Sequence, residues 1–359
     1  MSTVISKPGP LSFTGTMENL VLKSPSAQVR VSIKVTSDYG TREVLNEVYY
    51  PDESSSVTIY HPGDLCEPYA RQYGSVTAAA SVYDITGSGV QAAALDVDLG
   101  TVLFGNVDPQ IDAATFCQRH FLNILMGTKV TAMGRKESLS AYDAGDLTVS
   151  ACFVTADGSL KEMPGTLAPV NTTGKVQDYD VSPSKILAAV NADDGARLVG
   201  YVCKSGEREQ PYELVVDKVP PAPSLAFLNS FGCWEYIHCT GTHKKSSKFT
   251  YSTAVVGDKT RNYAIQEQRQ LTANTGSLNY AMAEWADELF RSQQVYLCTG
   301  GKMGKEVVVS DVKDEVTNED DNMPAYEFTW MYAQKLHNVI DTETKRLRVF
   351  DGTFDYTFE

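Results

Sequence analysis

The fold of this chain is decided by the stretch Leu228-Asn229-Ser230-Phe231-Gly232-Cys233-Trp234-Glu235-Tyr236-Ile237 together with residues 242–297. A polar segment, 242–248, leads to a second apolar run, 249–256. Apolar and aromatic runs separated by a polar segment are typical of two strands joined by a turn. A helix pattern over 277–291 then runs into Gln294-Val295-Tyr296-Leu297. Together these segments predict one folding unit, two strands with a helix packed on them.

The helix over 277–291 carries its apolar residues at helical spacing, and Ser277 is its expected N-cap. The apolar stripe consists of Leu278, Ala281, Met282, Trp285 and Leu289. A Met and Trp stripe is more often part of a core than a cofactor site. Trp285 is therefore expected to pack the helix on its sheet.

The first half contains the clearest strand, with Val29, Val31, Ile33 and Val35 alternating on one face. It also has one helix pattern, 112–126, with Asp112 as N-cap and Gly127 just after its end. The segment 186–190 is predicted to be a strand. The apolar face of the first helix comprises Phe116, Cys117, His120, Phe121, Ile124 and Leu125. The predicted fold class is mainly β: a multi-domain β-sandwich architecture with one short amphipathic helix packed on each half.

The best linker is Pro220-Pro221-Ala222-Pro223, since consecutive prolines are stiff and extended. It predicts an N-terminal β-rich region, 1–218, and a C-terminal β-sandwich domain, 219–359. A further division of the first region into 1–105 and 106–218 stays open. The polar, turn-rich segment 164–185 is interpreted as an extended interaction arm. At the C-terminus Phe354, Tyr356 and Phe358 alternate, which predicts a docked strand.

The formal net charge of −14 disfavours non-specific binding of nucleic acid. Lys244, Lys245 and Lys248 form the one basic cluster and are interpreted as solvated turn residues. No apolar run is long enough to span a membrane, so no membrane insertion is expected. The N-terminus lacks the apolar region of a signal peptide, which predicts synthesis in the cytosol.

Seven scattered cysteines, an odd number without a C-x-x-C pair, predict reduced and mostly buried thiols. Cys233, His238, Cys239 and His243 resemble a zinc set by residue type. On a strand, however, Cys233 and Cys239 would lie about 20 Å apart at roughly 3.3 Å per residue, too far for one zinc ion. No metal site is predicted.

Asp96 and Asp98 lie two apart in a β run and therefore share a face. Such a pair can act in a glycosidase or hold calcium, but the wet face of a strand explains it better. The acidic segment 311–322 lacks the glycine of an EF-hand and is interpreted as a solvated loop or interface. His120 is interpreted as a hydrogen-bonded core residue. None of the common catalytic or nucleotide-binding motifs occurs. We therefore expect no enzyme activity, no catalytic residue and no cofactor.

The chain resembles structural proteins of the tail or neck that are encoded by phages and prophages of Bacteroidota. In the second half, the resemblance is carried by Asn229-Ser230-Phe231-Gly232, by Thr275-Gly276 before the helix that ends Trp285-Ala286-Asp287-Glu288-Leu289-Phe290-Arg291-Ser292, and by the aromatic run 350–358. In the first half, it is carried by Glu47-Val48-Tyr49-Tyr50-Pro51-Asp52 with 57–59, and by Arg119-His120-Phe121-Leu122 ahead of Gly134-Arg135-Lys136-Glu137.

The resemblance implies a subunit of a phage virion, in the tail, tail tip or neck, that forms a ring-like homo-oligomer and binds other virion proteins. It brings no catalytic residues. The alternative is a carbohydrate-binding or receptor-binding β-sandwich that binds a host-surface glycan. A glycoside hydrolase that uses Asp96 or Asp98 is a third, weaker reading.

Overall fold

Strands dominate the chain, as the alternating apolar patterns predict. The structure, a computed structural model, describes residues 1–85, 89, 93–108, 110–190, 195–216, 223–313 and 323–334. Within these residues the strands form five sheets, and short helices pack against them. The predicted mainly β class is confirmed.

The first group of elements is a five-stranded sheet, β2-β8-β7-β4-β5, that shares one core with a three-stranded sheet, β1-β3-β6, and a helix. Val29, Val31, Ile33 and Val35 all point into this core, which confirms the clearest strand of the sequence. The elements are β1 Thr3–Ser6, β2 Leu11–Phe13, β3 Leu20–Lys23, β4 Gln28–Ser37, β5 Gly40–Tyr49, β6 Ser56–Ile59, α1 Pro62–Tyr73, β7 Ser75–Ile85 and β8 Leu95–Leu103.

The second group repeats this arrangement, with a five-stranded sheet, β12-β11-β15-β16-β9, and a three-stranded sheet, β10-β14-β13, around a core of their own. The elements are α2 Ala113–Arg119, β9 Lys129–Thr131, β10 Ser138–Tyr142, β11 Leu147–Val154, β12 Leu160–Leu167, β13 Asn171–Thr173, β14 Val176–Asp180, α3 Pro183–Ala189, β15 Arg197–Ser205 and β16 Arg208–Leu214.

The third group is one seven-stranded sheet in the order β18-β17-β21-β22-β23-β20-β19, with a helix on one face. Trp285 is fully buried between this helix and the sheet, as predicted. The elements are β17 Ser224–Leu228, β18 Trp234–His238, β19 His243–Val256, β20 Lys259–Asn274, α4 Tyr280–Arg291, β21 Val295–Thr299, β22 Lys302–Lys313 and β23 Glu327–Tyr332.

The strand pairing predicted for the deciding stretch is wrong. The run from Leu228 contains a turn, because the Asn229 side chain accepts hydrogen bonds from the backbone N–H groups of Phe231 and Cys233. That turn joins β17 to β18. The polar segment 242–248 is largely strand, and β18 and β19 lie at opposite edges of the sheet. Sequence proximity therefore misled the pairing, since the partner of β19 is the later strand β20.

The helices differ from the prediction in number and length. α1 was not expected, since Pro62, Gly63 and Pro68 are typical of turns, yet Pro62 starts the helix and Cys66 and Ala70 face the core. The first predicted helix ends at Arg119 rather than 126, because His120 is extended and the N–H of Leu122 bonds to β10. Residues 186–190, predicted as a strand, lie mainly in α3, which Pro183 begins.

In the third group, helix α4 starts at Tyr280, and Asn279 rather than Ser277 caps it, accepting from the N–H of Met282. The segment 164–185, interpreted as an extended arm, instead contains β13, β14 and the start of α3. Tyr179 and Val181 are fully buried in the second core, so this segment is part of a sandwich. The domain boundary at 218/219 and the C-terminal strand around 354–358 lie outside the described residues and stay predictions.

Candidate functional site

The four residues of the zinc-like set lie in different places. Cys233 is buried in a small core beside Phe231, whereas Cys239 belongs to the core under α4. His238 lies in β18, and His243 stacks on Trp330 at the far edge of the sheet. Among the described residues, no group of three His, Cys, Asp or Glu side chains could hold a metal ion.

All seven cysteines are unpaired thiols, and six of them are buried. Burial raises the pKa of Cys66 and of Cys239 to about 12. Thiolate is the reactive form of cysteine, so these two buried thiols are unreactive at neutral pH.

Asp96 and Asp98 lie on the exposed face of β8, as expected for a wet strand face. Asp96 accepts a hydrogen bond from the Ser81 hydroxyl at 2.7 Å, and Asp98 accepts one from the N–H of Gly100 at 2.9 Å. Both carboxylates are thus held by local partners on an open surface.

His120 ends α2 and is half-buried beside Phe116, with the ring centroids 5.2 Å apart. Burial lowers its pKa, and the nearby Arg119 acts in the same direction. Both effects favour the neutral imidazole of His120, and the ring packs at the margin of the core rather than inside it.

A buried ion pair of the second group of elements lies against the third group. The ammonium of Lys129 in β9 lies 2.7 Å from the Glu137 carboxylate, and both side chains are almost completely buried. Thr131 donates a hydrogen bond to Glu137, and His238 of β18 lies 3.4 Å from the same oxygen. Burial alone would raise the pKa of Glu137, but Lys129 and His238 outweigh it and hold the pKa at about 2.

The same ammonium also faces the third group. It lies 4.3 Å from the ring centroid of Trp285 in α4, a cation–π geometry. The Trp285 indole N–H donates to Glu235 at 3.0 Å, and Asn229 donates to the other oxygen of Glu235. Burial raises the pKa of Glu235 to about 7, although Lys129 and these two donors oppose the shift.

A third buried carboxylate, Glu288 of α4, completes this set by accepting from the N–H and the hydroxyl of Ser230. Asn229 in the same turn also donates to the carbonyl of Leu122 in the second group. The set fixes β9, β18, α4 and the 229–233 turn against one another. We call the side chains of Lys129, Glu137, Glu235, Trp285 and Glu288 the junction cluster.

The sequence reasoning missed the junction cluster, although a signal was present. Glu235 stands inside an apolar strand pattern, and Glu288 lies three residues after Trp285 on the buried face of the helix. Charged residues are almost never fully buried unless they are paired. Acidic residues at core positions therefore indicate a buried network, but spacing alone does not identify Lys129 as the partner.

Two clefts among the described residues are small and open. One of about 210 Å³ lies between α1 and the end of α4, where the Arg71 guanidinium stacks on Phe104 at 4.2 Å. Another, of about 170 Å³, lies beside Lys129 and His238. Typical ligand pockets measure about 300–1,000 Å³, so neither cleft favours a small-molecule site.

The hairpin β19–β20 is a largely exposed part of the third group, and its two strands join through Gly257 and Asp258. β20 pairs with β23 only over Leu271–Asn274, and no other described strand pairs with the remainder of the hairpin. The part from Ser246 to its tip therefore projects as a two-stranded ribbon, roughly 35 Å long at about 3.3 Å per residue. Lys244 and Lys245, interpreted as turn residues, lie exposed at its base within β19.

Large apolar side chains are exposed along this ribbon. The side chains concerned are Phe249, Tyr251, Val255, Val256, Tyr263 and Ile265. Tyr251 pairs directly with Ile265, and Phe249 stacks on Tyr251 with ring centroids 6.3 Å apart. Paired residues of antiparallel strands share a face, so these three form one apolar stripe.

That stripe continues the core face of the sheet. Lys245 pairs with Leu271 in the same register, without a bulge before Ser252, and Leu271 is buried under α4. The side-chain period of a strand is two, so Leu271, Ile265 and Tyr251 lie on the same face. Helix α4 covers this face within the sheet, and in the described structure the ribbon extends beyond it.

None of the described helices has the length and apolar character needed to cross a membrane. Residues 311–313 of the acidic segment, interpreted as a loop, instead end β22, and the segment lies outside the described residues from 314 onward. No protein-family model matches the chain, and a search of curated proteins finds no match.

Proposed function

We propose that this chain is a structural subunit of a bacteriophage virion, in the tail, tail tip or neck, that acts through protein–protein interfaces rather than through catalysis. The family resemblance of the sequence motivates the proposal. The observation that carries it is the projecting β19–β20 ribbon with its exposed apolar stripe. Contiguous apolar surface on a projecting element is typical of an interaction site.

The edge strand β5 supports the same role. It is ten residues long, largely exposed, and at the edge of the first five-stranded sheet, where no described strand pairs with its outer side. Tyr50, directly after it, is 71% exposed. A long exposed edge offers unpaired backbone groups to another chain, and assembling proteins use such edges.

The first test is the mass of the purified protein by light scattering, together with negative-stain imaging. We expect a closed ring or another defined oligomer. A second measurement is mass spectrometry of purified phage particles from a Bacteroidota host that carries the gene, in which peptides of this chain should be found. A protein that stays monomeric at every concentration and is missing from such particles contradicts the proposal.

A second candidate, a glycan-binding module, is favoured by one observation. Tyr39 is 82% exposed and stacks on Tyr73 with the ring centroids 5.1 Å apart, which offers a flat aromatic surface. In this case a glycan array should reveal binding that Tyr39→Ala abolishes. Equal binding by the two proteins, or none by either, counts against this function.

A further inference from the structure

We propose that the β19–β20 hairpin is an arm that binds the acidic body of a second copy of this chain. The arm is residues 243–274, and the body is the rest of the chain. This inference rests on the oligomeric function proposed above and names the partner and the surface that it uses.

Charge favours a second copy as the partner. The arm sequence contains six Lys and Arg against two Asp and Glu, a formal charge of +4. The body contains 25 Lys and Arg against 43 Asp and Glu, a formal charge of −18. Lys244, Lys245, Lys259 and Arg261 are all exposed. Complementary charges steer association and fix the orientation of two partners, so the body of another copy attracts the arm.

The apolar stripe would stabilise the contact between copies, which charge attraction alone steers but does not hold together. Phe249 is 46%, Tyr251 55% and Ile265 58% exposed, on a ribbon that no third described strand supports. A two-stranded hairpin is marginally stable by itself in water. Covering the stripe with a neighbouring copy removes apolar surface from water and orders the ribbon at the same time.

The size of the arm favours a ring over a pair joined by one arm. A ribbon roughly 35 Å long and about 10 Å wide offers on the order of 350 Å² per face. Stable complexes bury about 800 Å² per partner, so one arm on one body is a weak contact. If each copy gives one arm and receives one, the contact area of each subunit doubles. Such a head-to-tail contact closes into a ring when its rotation allows.

The first experiment removes the stripe without changing the charge. In Tyr251→Ser with Ile265→Ser, we expect the concentration for half-assembly to rise by about 100-fold, because assembly no longer buries two large apolar side chains. The matched control is Tyr60→Ser with Leu160→Ser, which changes side chains 69% and 71% exposed outside the arm. The control should assemble like the unchanged protein. All four residues are exposed, so circular dichroism should show that both variants fold.

The second experiment reverses charge on the arm. Lys259→Glu with Arg261→Glu should weaken assembly at low salt and reduce its dependence on salt. Lys185→Glu with Lys302→Glu makes the same change of charge at exposed sites of the body and is the control. An equal effect of both pairs would indicate general repulsion, and that result overturns the charge argument.

The third experiment identifies the partner directly. Carbodiimide joins amines to carboxylates that are already in contact, and a mixture of unlabelled and ¹⁵N-labelled protein distinguishes links between copies from links within one. We expect links from Lys244, Lys245 or Lys259 to Asp or Glu residues of the other isotope. Links confined to one copy would mean that the chain covers its own arm, and they overturn the inference.

The outcomes separate this inference from the proposed function. If the protein assembles and the stripe variant assembles equally well, the arm is not the contact, while the virion role stands. If the unchanged protein never assembles with itself, the inference fails. The detection of its peptides in phage particles then decides the proposed function independently.

Discussion

Removing the buried cation of the junction cluster is the sharpest test of how the chain is held together. In Lys129→Met the Glu137 carboxylate keeps its burial but loses the ammonium at 2.7 Å. Met has a similar length and fills the space beside Trp285, so the change removes charge with little loss of packing. We expect the free energy of unfolding at pH 7 to fall by about 3–5 kcal/mol.

The pKa of Glu137 gives an independent magnitude. It lies at about 2 in the folded protein against an ordinary value of 4.5. At 1.36 kcal/mol per pKa unit, this depression corresponds to stabilisation on the order of 3 kcal/mol. Because the folded-state pKa is depressed, the stabilisation is complete above pH 4.5 and is lost as the pH falls towards 2. In Lys129→Met the pKa of Glu137 should rise instead, so acidification from pH 7 to 5 should restore part of the lost stability.

Urea denaturation followed by tryptophan fluorescence measures both effects. Lys185→Met, at an exposed lysine, is the matched control and should change stability by less than about 0.5 kcal/mol. Adding Glu137→Gln to Lys129→Met should recover more than half of the loss, because the unpaired charge is gone while an oxygen still accepts from Thr131. A cost below about 1 kcal/mol for Lys129→Met, or no recovery in the double variant, refutes the reasoning.

Three further predictions concern the third group of elements. Trp285→Ala removes the largest fully buried side chain of the described residues and should lower the free energy of unfolding by about 3–5 kcal/mol in urea denaturation, whereas a loss near zero would show that α4 is not held by this residue. Burial raises the folded-state pKa of Glu235 to about 7, so the contribution of Glu235 to the free energy of unfolding falls as the pH rises from 4.5 to 7. Glu235→Gln should flatten the dependence of stability on pH across that window. Identical pH profiles for the variant and the unchanged protein would contradict the raised pKa. Gly276 has a φ of +78°, and a Cβ added there would lie 1.9 Å from the Thr240 hydroxyl oxygen. Gly257 has a similar φ, but a Cβ added there would meet nothing within 4 Å. Gly276→Ala should therefore lower the thermal midpoint much more than Gly257→Ala. Equal shifts in the last two variants would mean that backbone strain, and not the contact, sets the cost.

The proposals and the stability predictions concern separate parts of the molecule. The junction cluster is buried and holds the second and third groups of elements together, whereas the arm is exposed and projects from the sheet. Variants of Tyr251 and Ile265 should therefore leave the urea midpoint of the monomer nearly unchanged, and those of Lys129 should lower it. This separation allows assembly and folding to be measured independently.

Local sequence determined much of the secondary structure. The period-two pattern of β4 and the helical stripe of α4 were readable because each element buries one face, and burial imposes its period on the sequence. Trp285 was correctly placed in the core on this basis. Where the pattern was weak, the prediction was wrong. Helix α1 was not predicted, because Pro62, Gly63 and Pro68 are typical of turns. The polar segment 242–248 was predicted to be a turn, although it lies largely in β19.

Only the tertiary structure decided which strands pair and which charges meet. β18 and β19 follow each other in sequence but lie at opposite edges of the sheet, since pairing depends on contacts between residues far apart in the chain. Lys129 meets Trp285 and the neighbourhood of Glu235 across more than a hundred residues, and no local period encodes that meeting. The sequence likewise did not determine whether the apolar residues of the arm are covered. Alternation in sequence marks one face of a strand, but the arrangement of the other elements determines whether that face is covered.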